Sequence, residues 1–147
     1  MYGTYLELLR MIEGVNRNYH CRIKEELDRL GLDDINAVQA LLLFHIGEEK
    51  IEVGQVRSRG NYLGFNTSYI IKSLVENQYL CHERSSYDFR VRQVWVTDKG
   101  RWLWGCLRDM HDRDIEVPSE GETDLDHELW TLRQIEQFWI DQELDHS

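Results

Sequence analysis

The spacing of apolar residues divides the chain into helical and extended stretches. Over residues 5–30, Leu8, Ile12, Val15, Tyr19, Ile23, Leu27 and Leu30 recur every three or four positions with charged residues between them, which predicts one long amphipathic helix. Gly31 stands where a C′ residue would end it, and Asp33 or Asp34 is placed to cap a second helix over 35–46. That second segment, INAVQALLLFHI, is apolar around most of its circumference and predicts a core helix ended by Gly47. Ile51 is a candidate for a short β-bridge. Residues 53–59 predict a third helix of about two turns that exposes Arg57 and Arg59. Gly60 closes it, and a turn through residues 61–63 leads into the next stretch.

That stretch, residues 64–80 (GFNTSYIIKSLVENQYL), is the most informative part of the chain. Thr67, Ile70, Ile71 and Leu74 form one apolar stripe at helical spacing, so Asn66, Ser68, Tyr69, Lys72 and Ser73 share the opposite face. The outward face is short-armed, polar and nearly free of acid. Amide, hydroxyl and ammonium groups of this kind match the donors and acceptors on base edges in a major groove, although an ordinary solvated helix face has the same pattern. Helix, glycine-bearing turn, helix is a helix-turn-helix arrangement. Downstream, YLCHER from Tyr79 and VRQVWV from Val91 are β-rich runs separated by turn residues, which predicts an antiparallel hairpin with its tip near residues 85–90. Arg84, Arg90 and Arg92 cluster around that tip. Thr97 then caps a helix over 98–116, and the break around Pro118 separates it from a last helix starting near Thr123.

The last helix carries Leu125, Leu129, Leu132, Ile135 and Trp139, with Trp130, Phe138 and Ile140 widening its apolar face. So much apolar surface after a polar break predicts that the first and last helices bury their stripes against a second copy of the chain. The alternative is that they pack only on each other.

Charge distribution sharpens this picture. The net charge of −10 opposes contact with nucleic acid on average. Residues 53–101, however, hold eight basic and four acidic residues, so a basic middle lies between acidic flanks. At 147 residues the chain is expected to form a single unit with one core, plus helices left over for pairing. Apolar runs too short to span a bilayer, no leader at Met1 and three scattered cysteines point to a cytoplasmic protein without a disulfide framework.

The order of elements resembles the winged-helix regulators of the MarR family, and specific residues carry the likeness. NTSYIIKSLVENQYLCHER looks like the family's recognition helix and its leucine, any, any, glycine, leucine run, here with Leu74, Gln78, Tyr79 and Leu80. Asp88, Phe89 and Arg90 are similar to the Asp-any-Arg tip of the wing, and VTDKG over 96–100 to the entry of the fifth helix. Two departures stand out: Gln78 replaces the usual glycine, and the wing has Arg90 where many members have consecutive cations. The fold class implied is mainly α (α+β), a winged helix-turn-helix with N- and C-terminal dimerisation helices. Residues 34–100 would form the DNA-binding lobe, and residues 1–31 and 101–147 the dimerisation helices.

The resemblance implies a homodimer on palindromic double-stranded DNA. Asn66, Ser68, Tyr69 and Lys72 would face the major groove, Arg90 oriented by Asp88 would enter the minor groove, and Arg57 and Arg59 would meet phosphates. It also implies a small aromatic or anionic effector, with Tyr19, His20, Phe44, His45 and Trp102 as candidate walls and polar handles. Two other readings stay open: a winged helix that binds protein instead of DNA, favoured by acidity and the thin wing, and a redox-sensing regulator acting through Cys21. The sequence has no Gly-rich phosphate loop, nucleophile elbow, HExxH or tight metal-ligand spacing, so no catalytic residue, metal, cofactor or membrane partner is expected.

Overall fold

The computed structural model describes residues 1–59, 67–84, 87, 92–116 and 125–145, with the backbone alone at 57–59 and 143. Two compact units result, Met1–Asp114 and Ile115–Ser147.

The first unit begins with α1 (Tyr2–Arg29), whose C-terminal part supplies Ile23 and Leu27 to the core. Gly31 follows at φ 73°, the left-handed turn expected of a C′ glycine. The second helix, α2 (Ala37–Ile46), starts two residues later than the sequence pattern suggested. Asn36 is its cap in place of Asp33 or Asp34: its side chain accepts from the Gln39 amide at 2.9 Å while the Asn36 amide donates to Gln39 Oε1 at 3.0 Å. This reciprocal capping box satisfies two helix-end donors at once, which a lone Asp cannot do. Ala40, Leu41, Leu42, Leu43 and Ile46 place α2 at the centre of the core.

Strand β1 (Ile51–Glu52) and helix α3 (Val53–Arg59) follow, then α4 (Thr67–Glu76). Helix α4 buries Thr67, Ile70, Ile71 and Leu74, the stripe legible in the sequence. It ends at Glu76, because Gln78 turns left-handed at φ 67°. The Tyr79 amide reaches back to the Leu74 carbonyl at 2.8 Å and the Gln78 amide to that of Val75 at 3.0 Å, the paired bonds of a Schellman ending. A side chain at C′ is strained in this conformation, and glycine is not. Gln78→Gly is therefore expected to raise stability by about 0.5–1 kcal/mol, read as a higher urea midpoint with an unchanged slope. A lower midpoint would refute the strain.

Strands β2 (Leu80–Arg84) and β3 (Arg92–Val96) form the hairpin, and β1 joins its other edge, giving an antiparallel sheet in the order β1-β3-β2. Ile51 thus makes the bridge its position suggested, opposite Val94. Helix α5 (Asp98–Glu116) is capped by Thr97, whose Oγ1 accepts from the Gly100 amide at 3.0 Å and donates to the Gln78 carbonyl at 2.6 Å. Leu103, Leu107 and Met110 carry α5 into the core.

A polar node holds the base of the wing to the rest of this unit. The Tyr79 hydroxyl donates to Asp34 Oδ1 at 2.6 Å, and Lys99 Nζ reaches Asp34 Oδ2 at 2.7 Å while lying 4.2 Å from the Tyr79 ring centroid. Burial pulls the Asp34 carboxyl upward, but the Lys99 and Tyr79 hydrogen bonds outweigh it and hold the group below its ordinary value. Tyr79 itself is driven well above the phenol range by burial and by that carboxylate.

The second unit contains α6 (Leu125–Asp145), which buries no side chain among those described. Trp130, Phe138, Trp139 and Ile140 all stay at least two-fifths exposed. No helix among the described residues is long and apolar enough to cross a membrane.

Candidate nucleic-acid interface

Helix α4 lies against the core by one stripe and offers its other face outward. Tyr69 and Lys72 are exposed on that face and Ser68 half-buried, as helical spacing from the apolar stripe requires. Asn66 lies outside the described residues, as do Asp88 and Arg90 of the wing tip. Arg57 and Arg59 close α3, with their side chains outside the description.

The structure adds His82 to this surface and brings in Arg92, one of the cations that cluster around the hairpin tip in the sequence. Between α4 and the hairpin runs a groove of about 540 Å³ lined by Ser68, Tyr69, Ile71, Lys72, Val75, Glu76, His82 and Arg92. The hairpin register explains how two strand residues arrive there. Leu80 pairs with Val96, His82 with Val94 and Arg84 with Arg92, and directly opposed residues in an antiparallel pair point to one side of the sheet. Leu80, Val94 and Val96 are buried, so this is the inner face, and it changes from apolar to cationic toward the wing tip. The alternation Leu80, His82, Arg84 was the available signal, but it has no meaning until the facing helix is known.

The wing is braced from its outer side. The Tyr87 hydroxyl donates to Glu52 Oε1 at 2.8 Å, Lys50 pairs with Glu83, and Lys50 Nζ also sits 4.5 Å from the Trp95 ring centroid. These contacts tie β1, β2 and β3 together along the outer face of the hairpin and reach its tip at Tyr87.

The suggested effector residues separate into two groups. Tyr19 and Phe44 meet at the junction of α1, α2 and α5, together with Trp104 and His111, which the sequence reading did not assign to the site. The Tyr19 hydroxyl lies 2.6 Å from His111 Nε2, and Phe44 stacks on His111 at 4.9 Å and on Trp104 at 5.9 Å. His111 Nδ1 lies 2.7 Å from the Leu107 carbonyl, so Nδ1 carries the proton and Nε2 accepts from Tyr19. Burial raises the Tyr19 phenol, and burial first, with repulsion from His111 when that ring is protonated, lowers the neighbouring His45. Trp102 is on another side of α5 and about half exposed, since two positions along a helix turn it by about 200° from Trp104. His20 bonds to the Asn16 carbonyl of its own helix at 2.8 Å. Cys21 is exposed on α1. Among the described residues, no group of three His, Cys, Asp or Glu side chains is arranged to hold a metal ion.

Along the first half of α1, Tyr2, Tyr5, Leu8, Met11, Val15 and Tyr19 form an exposed apolar stripe. It continues the pattern of which Ile23 and Leu27, further along the helix, are buried and Leu30 partly buried.

Comparison with known proteins gives this geometry a context. No family model matches the chain. A curated relative, the exopolysaccharide II synthesis transcriptional activator ExpG of Rhizobium meliloti (strain 1021), is 33% identical over 139 residues, covering 92% of this chain and 72% of that protein. Among solved structures, reduced AbfR bound to DNA, a protein of Staphylococcus epidermidis, superposes with a TM-score of 0.75 at 16% identity, over 96% of this chain and 95% of that one. A MarR transcriptional regulator from Methanosarcina mazei Go1 gives 0.67 at 20% identity, over 93% and 97%. At these identities the two structures establish the fold.

Proposed function

Because the chain belongs to the MarR family of winged helix-turn-helix transcriptional regulators, we propose that it binds double-stranded DNA in a sequence-specific manner and does so as a homodimer. The observation that carries this reading is the outer face of α4, polar and acid-poor, set beside a cationic wing on a chain that is otherwise acidic. Asn66, Ser68, Tyr69 and Lys72 would read base edges, Arg90 with Asp88 would enter the flanking minor groove, and Arg57 and Arg59 would meet phosphates. Residues 34–100 are the DNA-binding lobe in this scheme. The exposed stripes of α1 and α6 are the surfaces by which residues 1–31 and 101–147 would pair two copies. A two-fold dimer would present its recognition helices about one turn of DNA apart, so the site would be palindromic. Of the relatives compared, ExpG is a transcriptional activator, the Methanosarcina mazei protein is a MarR transcriptional regulator, and AbfR is bound to DNA.

The junction of Tyr19, Phe44 and His45 with Trp104 and His111 suits a small aromatic acid as effector. Its rings stack on one another, so a ligand there would have to displace at least one of them.

A mobility-shift titration on the DNA upstream of the protein's own gene, at two salt concentrations, tests the main reading. Salt-sensitive and sequence-selective binding, with two chains per duplex, is expected. Arg90→Ala should weaken binding to all sequences and reduce the salt slope by about one, while Asn66→Ala should cost about 1–3 kcal/mol at particular bases only. Equal losses on operator and random DNA from the Asn66 change would remove it as a base reader. An absence of binding to any duplex would favour the protein-binding alternative.

A further inference from the structure

The groove between α4 and the hairpin has a position in the complex that follows from duplex geometry. A recognition helix in the major groove and a wing in the adjacent minor groove are separated by one sugar-phosphate strand. Whatever lies between helix and wing faces that strand. Here those residues are Lys72 on α4, His82 on β2 and Arg92 on β3, with the hydroxyl-bearing Ser68 and Tyr69 on the same wall as Lys72. Lys72, His82 and Arg92 have no ion-pair or hydrogen-bond partner among the described residues, which leaves their donors available. Ile71 and Val75 give the groove an apolar lining on the helix side, and His82 stands where the buried part of the inner sheet face gives way to the arginines.

We propose that His82 and Arg92 clamp a DNA backbone phosphate between recognition helix and wing, beside Lys72 at the edge of the base-reading face, and that His82 thereby makes DNA affinity depend on pH. The proposal rests on the DNA-binding reading and adds a site and a regulation to it. Histidine is the side chain that ordinarily changes charge between pH 5 and 8. The charged and titratable groups around His82 are Tyr69, Lys72 and Glu76 from α4, Arg92 from β3 and Arg84 two residues along its own strand on the same face. Among the groove-lining residues, two cations stand against the single carboxylate of Glu76, so protonating His82 doubles the net positive charge of the groove. A phosphodiester supplies the anionic acceptor that an imidazolium donor needs.

The test is fluorescence anisotropy with a labelled duplex from the upstream region and a scrambled duplex, at pH 8 and pH 6, each over a series of salt concentrations. The wild-type protein is expected to bind about tenfold more tightly at pH 6, with a salt slope steeper by about 0.9. His82→Gln should lose that gain, binding each duplex with the same affinity at pH 6 as at pH 8. Arg92→Gln should weaken binding at both pH values, flatten the slope by about 0.9 and keep the pH gain. A His82→Gln protein that retains the wild-type pH profile would overturn the proposal, because the titration would then belong to another histidine. Wild-type protein that binds neither duplex in a salt-sensitive way would overturn the DNA-binding reading itself, an outcome distinct from unaltered pH dependence.

Discussion

Gly100→Ala is expected to destabilise the protein by about 2–3 kcal/mol and to lower its melting temperature by about 6–12 °C. A Cβ on Gly100 would lie 2.1 Å from the Tyr79 carbonyl oxygen, 3.1 Å from its carbon and 3.3 Å from Val96 Cβ. The obstacle is main chain, so no side-chain rotation relieves it. The same carbonyl accepts the Thr97 amide at 3.1 Å, and pushing it away would loosen the bond that joins the wing base to the start of α5. Gly105 on the same helix is the control. A Cβ there meets nothing within 4 Å, and replacing a mid-helix glycine by alanine should stabilise by up to about 1 kcal/mol. Urea titration of both variants reads the contrast directly. Equal stability of Gly100→Ala and wild type would mean that the close approach of Tyr79 to α5 is absent.

Glu26→Gln is the second large effect, with an expected loss of about 2–3 kcal/mol at pH 7. Glu26 is 2% exposed on α1 and has three arginines around it. Arg29 donates from Nε at 3.1 Å and pairs again through Nη2, Arg113 reaches the carboxylate at 3.5 Å and Arg22 at 3.7 Å. Arg22 also grips Asp114 with two bonds of 3.1 and 3.2 Å, so the network binds α1 to α5. A neutral amide leaves this cluster of guanidinium groups without its buried counter-charge. Because the arginines reach solvent, the loss should fall below the upper range for fully buried pairs.

The same group fixes the direction of acid sensitivity. The Arg29 hydrogen bond holds the Glu26 carboxyl below its ordinary value against the upward pull of burial, and the charges of Arg29, Arg113 and Arg22 add to it. A depressed carboxyl contributes stability that is fully present above the unfolded value, near pH 4, and is lost as pH falls through the folded value. Wild-type stability should therefore decline below about pH 4, and the gap between wild type and Glu26→Gln should narrow there. Asp34, depressed in the same direction, should keep part of the acid sensitivity in the variant. Unfolding free energies at pH 7, 5 and 3 measure both effects, and a gap that stays constant would detach Glu26 from the acid response.

Much of the architecture was legible in one dimension because it depends on local periodicity. The stripe of Thr67, Ile70, Ile71 and Leu74, the Thr97 cap, the Ile51 bridge and the two hairpin runs each follow from residues within one helical turn or one strand. The cap of α2 was misplaced because Asp33 and Asp34 look like caps by type. Only the folded chain shows that Asp34 instead accepts from Tyr79 and Lys99, 45 and 65 residues away.

Sites made from several elements were less accessible. Phe44 and Tyr19 were suggested as neighbours by composition, but Trp104 and not Trp102 completes their cluster, since the rotation of α5 about its axis is set by Leu103, Leu107 and Met110 entering the core. Likewise, His82 and Arg92 become part of the α4 groove through the hairpin register, in which a one-residue slip would send both to the other face.

By itself, then, the sequence determined the order and type of the elements, the outward face of the recognition helix and the basic middle of an acidic chain, because hydrophobic period and charge are properties of short segments. Tertiary structure alone decided which residues meet between those segments: Tyr79 against Gly100, three arginines around Glu26, and Lys72, His82 and Arg92 around one groove. The physical reason is that contacts over long sequence separations depend on helix rotation and strand register, which are settled by packing of the whole core.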